Sequence, residues 1–469
     1  MPFPAILTAC LFFILFLHYS IFSSVQLTYF LHGLHLAHPA FLAKDWFVAY
    51  HSPPHPFFTE MVRFFESFSV LPPVFFAIYV LQIFLLIFAI FRLCRLFSDD
   101  IRIPVLTCFF LLFYFSDGLG QSTLFSNIVQ PTDLAVPFYL LALTFLFENK
   151  ILAAGILLGC SGLFHIHFAI SGSLVFFFFM LFKDQSKNKF ISILPGGLFF
   201  LLLSSPNWVP IAKSFSLTEP AASPEIFKMF LNFRSPHHYR PSVFELSHSF
   251  RILFPTLLFL ILKSRFEKDA EKDIFLKVEF YIALILGLCL IGALSTELFY
   301  NPFLARLFFF RLSPSVLLLS LIICSHAFIE ILNQKKPYDL FLLALTLTIF
   351  LIEKDSRLFI FLSSLLLISW KFSKNQNRLA YGLGFGSAMI TLITFVATHR
   401  LNFFLINIFL SASLVFLLKL NWGSGLKKFL LAAIFLFFHV LLFNSFRLLS
   451  RDWQCLRFFA RRFHRPTPN

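Results

Sequence analysis

Five short polar stretches interrupt an otherwise apolar chain, and their residue types suit acid–base and anion chemistry. The first, "AKDWFVAYHSPPHPFF" at 43–58, holds Asp45, His51 and His55, with Glu60 just beyond it. Asp45 precedes Trp46, an aromatic of the kind that anchors at a membrane–water interface. A partly desolvated carboxylate holds protons more tightly, so Asp45 can act as general base toward an acceptor hydroxyl or amide. It can equally ligate a divalent cation, and the plain alternative is a solvated loop acid paired with Lys44. The second stretch, "DGLGQSTLFSNIVQPTD" at 117–133, lacks Lys and Arg. Asp133 opens the following apolar run as a helix N-cap does, and Gln130 is a residue that can face a ligand.

The third stretch, "GLFHIHFAI", sets His165 and His167 two positions apart. On a continuous helix they point about 200° apart and make poor co-ligands of one metal. At a helix break His165 can meet a phosphate while His167 bonds backbone; a purely structural buried histidine is the alternative. The fourth, "NFRSPHHYRP", gathers Arg234, His237, His238, Tyr239 and Arg240. Arginine forks grip phosphate oxygens bidentately, and histidine adds donors or moves protons. The same loop can instead lie on anionic headgroups. The fifth, "STELFYNPFLARLFFFRLSP", places Glu297, Arg306 and Arg311 at helix mouths, where arginine either holds a lipid phosphate or snorkels to headgroups. No glycine-rich phosphate loop occurs, so nucleotide binding has no support. Seven scattered cysteines form neither a disulfide framework nor a zinc motif.

The elements that must position these groups are membrane helices. Hydrophobic residues make up 58% of the chain and charged residues 13%, against roughly 25% charge in an average soluble domain. In that setting the net charge of +15 marks cytoplasmic loops and headgroup contacts, and nucleic acid is discounted. The 74 phenylalanines read as lipid-facing and packing residues. Apolar runs of spanning length predict helices near 4–24, 73–91, 103–116, 132–147, 151–164, 168–182, 191–210, 251–262, 276–294, 312–332, 338–352, 358–370, 379–398, 401–418 and 429–446. The expected fold is all-α, a polytopic bundle of about 13–15 helices. "LTAC" near the start resembles a lipoprotein box, but the apolar run continues through it, as in a first transmembrane helix. Lys and Arg in the short connections put the N-terminus inside, so the long loops 25–72 and 211–250 fall outside. Residues 1–448 then form the membrane domain and 449–469 a short basic tail.

A first outer loop with an acid soon after the first helix, followed by a long polytopic body with further outer loops, resembles the GT-C superfamily. These integral membrane glycosyltransferases use polyprenyl-phosphate sugars and include protein O-mannosyltransferases and aminoarabinose transferases. The stretch "QPTDLAVPFYLLALTFLFENKILAAGILLGCSGLFHIHFAI", with "RSPHHYRP" and "ARLFFFRLSP", is similar to segments of a group of bacterial polytopic membrane proteins. The resemblance implies a catalytic base or metal contact at Asp45. With that donor, the arginines and histidines read above become the phosphate site: Arg234, His237, His238 and Arg240, with Arg306 and Arg311 as second-line contacts. His51, His55, Glu60 and His165 are candidate contacts to substrate or metal, and the metal would be Mg or Mn. The many relatives with paired first-loop acids differ from this chain, whose nearest acid after Asp45 is Glu60. The tail, "RDWQCLRFFARRFHRPTPN", resembles the opening of a soluble outer domain; a basic amphipathic end is the alternative. The implied function is sugar transfer from a polyprenyl-phosphate donor at the outer face of a bacterial cytoplasmic membrane. The rivals are a lipid-linked polysaccharide polymerase, flippase or transporter, which would use the arginines without Asp45, and a non-catalytic scaffold.

Overall fold

The computed structural model describes residues 3–21, 23–45, 48, 53–114, 118–183, 189–216, 228–229, 231–232, 236–244, 246–266, 272–334, 339–340, 342–343, 346–347 and 366. Arg234 and His51 lie outside them, and only the backbone of His237 and Arg306 is described. The expected helices beyond 357 and the tail 449–469 also lie outside, Leu366 apart, as does most of 338–352. The longer helices are α1 (Phe3–Leu17), α2 (Ser24–Ala37), α3 (Pro56–Ser67), α4 (Leu71–Cys94), α5 (Arg102–Tyr114) and α6 (Pro131–Phe147). They continue as α7 (Ile151–Phe164), α8 (Ile166–Lys183), α9 (Lys189–Ser216), α10 (Leu246–Phe266), α11 (Lys272–Glu297) and α12 (Ser313–Gln334). The described chain is all-α, as expected.

A helix that is apolar on every side has to be buried, and α12 is buried along nearly its whole length. Its serines supply the polar links to its neighbours. Ser315 Oγ lies 2.7 Å from Tyr281 Oη on α11. Ser320 Oγ lies 3.2 Å from Thr256 Oγ1 on α10, and Thr107 on α5 donates to Ser325 at 3.1 Å. Hydroxyl pairs of this kind fix the rotation of a helix where apolar side chains alone are indifferent to it. Leu71–Cys94, Ile193–Pro210, Lys272–Glu297 and Pro302–Gln334 are long and apolar enough to cross a membrane. The outward stripe Phe3, Leu7, Leu11 and Leu15 on α1, and Leu194, Leu198, Leu201 and Leu202 on α9, give this membrane-embedded bundle an apolar exterior.

The two ends of the bundle differ in charge chemistry. At one end the cations are spent on carboxylates: Arg92 and Lys150 each sit 2.7 Å from Glu148, and Lys263 sits 2.7 Å from Glu279. Lys277 Nζ donates to the Phe147 carbonyl at 2.9 Å, which satisfies an orphan acceptor at the end of α6. The other end holds most of the candidate chemistry.

Three expectations about that second end are corrected. The run 4–24 is not one helix: α1 stops at Leu17, His18 turns the chain with φ 51°, and Ser23 Oγ accepts the Gln26 N–H as the cap of α2. The 25–72 segment is not an open loop, because α2 and α3 pack on each other within it. Apolar spacing explains the pairing, since Phe58 and Val62 share one face of α3 and are fully buried. Phe30 of α2 meets the Phe58 ring at 6.0 Å and Phe75 at 4.8 Å. Similarly, α9 runs on to Ser216 and α10 starts at Leu246, which shortens the 211–250 loop at both ends.

Helices α7 and α9 meet backbone to backbone. A Cβ on Gly155 would collide with the Gly196 backbone, and one on Gly162 would reach Ser204 Cβ at 2.7 Å. Nothing lies within 4 Å of a Cβ added at Gly197. Gly155→Leu is therefore expected to destabilise the bundle by about 1–3 kcal/mol through overpacking. Thermal unfolding in detergent checks this, with Gly197→Ala leaving the midpoint unchanged.

Candidate functional site

A second break in the apolar helices at the second end of the bundle falls between α7 and α8. His165 adopts extended backbone there (φ −144°, ψ 99°), so the carbonyls at the end of α7 lose their helical partners. Asn207 of α9 replaces them: its Nδ2 donates to Gly162 O at 2.7 Å and to Leu163 O at 2.6 Å. The break cancels the opposed directions that a continuous helix would give the two histidines. Their rings lie 5.7 Å apart between centroids. His55, the N-cap residue of α3, brings a third ring to 4.8 Å from His165 and 5.5 Å from Tyr29 of α2.

Arg311 completes the group from a 3-10 turn, Phe309–Leu312, that leads into α12. Its guanidinium carbon sits 4.5 Å from the Phe308 ring centroid, a cation–π stack. Phe308 itself takes the left-handed conformation (φ 55°, ψ 50°), which for a bulky side chain costs on the order of 1–3 kcal/mol and persists only where surroundings enforce it. Tyr239 at 4.5 Å and His238 at 5.8 Å hold the other sides of that ring. His238 Nδ1 lies 2.7 Å from the Gly120 carbonyl, and Gly120 has φ 65°, where an added Cβ would also strike the His238 carbonyl. Ser313 Oγ accepts the Leu119 N–H at 2.8 Å. Three turns that are distant in sequence thus fix one arginine.

Asp133 approaches from α6. Gln130 is the N-cap residue and Pro131 opens the helix, so Asp133 lies inside the first turn and does not cap it, contrary to expectation. Its carboxylate accepts Ser126 Oγ–H and, at 3.2 Å, Gln130 Nε2–H. It is 1% exposed.

His55 and His165 are 8% and 3% exposed. Burial is the main force disfavouring their cationic forms, and the charge of Arg311 adds to it. His55 is pushed down to about 3, although the nearby Phe164 backbone works the other way. His165 is also held well below the usual histidine range. The Nδ1 atoms of His55, His165 and His167, and Nε of Arg311, are buried without a protein partner. Buried polar atoms in that state are costly, and converging ones suit an anionic ligand that accepts from them when they carry protons.

Other sequence candidates are placed differently. Asp45 Oδ1 accepts the Val48 N–H at 3.0 Å in the α2–α3 connection. Glu60 faces outward, paired with Arg63 at 2.8 Å. Arg240, expected to hold phosphate, is committed to a protein latch: it donates to Asn232 at 3.1 Å and to Glu297 at 3.2 Å. Glu297 also accepts Ser242 N–H at 3.0 Å and Ser242 Oγ–H at 2.6 Å. Among the described residues no group of three or more His, Cys, Asp or Glu side chains is placed to hold a metal ion. Sequence reasoning missed Tyr29, Ser126, Asn207 and Phe308. Only Asn207 carried a signal, as an amide within an apolar run. Compared with protein-family models, curated proteins and solved structures, the chain matches none.

The neutral histidines give stability a pH dependence of definite sign. The folded state disfavours protonation, so their contribution is complete above the ordinary value of 6.5 and is lost as pH falls below it, for His55 down to about 3. In that window His55 loses about 1.4 kcal/mol per pH unit. The unfolding midpoint of the wild type is expected to fall more steeply below about pH 6.5 than that of His55→Asn. Equal slopes contradict the assignment.

Proposed function

We propose that the protein is a GT-C-like membrane transferase that moves a sugar from a polyprenyl-phosphate donor to a lipid, glycan or protein acceptor. The observation that carries the reading is the meeting of three imidazoles at one end of an apolar bundle, with Arg311 on the Phe308 ring that His167 also contacts and Asp133 acting on Arg311 by its charge. An isoprenoid phosphate has the matching shape: its tail belongs among the helices and its charge at their end. In such a transfer the acceptor oxygen bonds to the anomeric carbon as the bond from that carbon to the phosphate oxygen breaks. Negative charge grows on the departing phosphate, where Arg311 and imidazole N–H groups stabilise it. The acceptor proton passes to a carboxylate. Asp133 is the carboxylate whose field reaches the Arg311 guanidinium, whereas Asp45 is held by its own turn. No step is routed through a metal. The site faces the exterior or periplasm of a bacterial cytoplasmic membrane in this reading, with the ion-paired end inside.

Mass spectrometry of lipid bound to the purified protein tests it. Wild type is expected to retain an isoprenyl phosphate that Arg311→Ala loses, while Glu60→Gln, on the outward face of α3, keeps it. Retention of the same lipid by folded Arg311→Ala, or no isoprenoid in any sample, contradicts the reading. With donor in hand, Asp133→Asn is expected to lower turnover by about 10²–10⁴ and Asp45→Asn to leave most of it, as removal of a general base requires.

A further inference from the structure

The site has an unusual charge balance for an anion site. One guanidinium is fixed on an aromatic platform, and the other donors are imidazoles whose Nδ1 atoms are buried without a protein partner. A neutral imidazole presents a lone pair on one nitrogen, which repels an anion; it becomes a donor on both nitrogens only after taking a proton. Resting on the phosphate reading above, we propose that this site binds a phosphodiester anion together with protons, which pass from solvent to the Nδ1 atoms of His55, His165 or His167 as the anion arrives.

The surroundings explain why the two events are coupled. Tyr29 from α2 lies 5.5 Å from the His55 ring, and Phe308 from the turn before α12 lies 6.5 Å from the His167 ring; Phe308 in turn carries Arg311, His238 and Tyr239, and the charge of Asp133 from α6 reaches Arg311. Arg311 and burial oppose a second positive charge, and the carboxylate of Asp133 is already engaged by Ser126 and Gln130. An incoming phosphate supplies the missing negative charge within the same low-dielectric space, which reverses the sign of the local field at the rings. Each proton taken up makes affinity rise by as much as tenfold per pH unit as pH falls. Protonation thereby becomes a determinant of donor capture, and its reversal a route to release of the phosphate product.

The test uses the full chain in detergent and a short isoprenyl methyl phosphodiester, whose own charge stays constant over the range used. The corresponding isoprenol controls for the tail. The expected result is phosphodiester affinity rising at least tenfold from about pH 8 to about pH 6, with isoprenol binding flat and His165→Asn flattening the phosphodiester profile. Repeating the wild-type titration calorimetrically in two buffers of different ionisation enthalpy counts the protons directly, and so does not depend on the variant folding. Phosphodiester binding that is independent of pH, with no proton uptake, overturns the coupling while leaving the phosphate reading standing. Binding of isoprenol but not phosphodiester at any pH by folded protein overturns both.

Discussion

The amide of Asn207 is the contact on which the site depends. In an apolar bundle an unpaired carbonyl cannot turn to water, and each one left bare costs several kcal/mol. By donating to both Gly162 O and Leu163 O, Asn207 makes a break between α7 and α8 tolerable where continuous helix would otherwise be enforced. The close approach of α7 and α9 at Gly155 and Gly162 is what brings the amide within reach. From that single interruption follow the extended backbone at His165, the convergence of His165 with His167, and the room for His55 to reach them from α3.

The rest of the molecule supplies a rigid frame around the break. Helix α12 is locked in rotation by hydroxyl pairs with α5, α10 and α11, and its N-terminal turn therefore delivers Arg311 at a set angle. The left-handed Phe308 converts that delivery into a platform, enclosed by Tyr239 and His238. The Arg240–Glu297–Ser242 latch ties the preceding loop to the end of α11, beside the turn that carries those two rings. Charge is treated differently at the two ends. Arg92 pairs with Glu148 at one end and Arg240 with Glu297 at the other, but only the second end adds imidazoles whose Nδ1 atoms are buried without a protein partner.

Much of the bundle was legible because length and punctuation agree. The 132–147 run begins at Pro131, a favoured first helical residue, and the polar "HIH" marks the true division between α7 and α8. The first polar segment was harder, because the apolar positions that pair α2 with α3 are interleaved with the histidines and prolines that signal a loop. Long-range partners are not legible in "RSPHHYRP". Glu297, far along the chain, takes one arm of the Arg240 guanidinium, while Arg234 and the side chain of His237 lie outside the described residues. Phe308 offered nothing to notice among 74 phenylalanines, since its importance lies in a backbone conformation and not in its type. His55 and His165 were each visible as candidates; their adjacency was not, because it arises from the packing of α3 across the break.

That adjacency is the most direct point of attack on the whole account. His55→Ala, His165→Ala and the double variant form a cycle across the two rings, which lie 4.8 Å apart. Unfolding free energies in detergent should be non-additive by about 0.5 kcal/mol or more, as residues in contact are. Effects that simply add, with each variant folded, would contradict it.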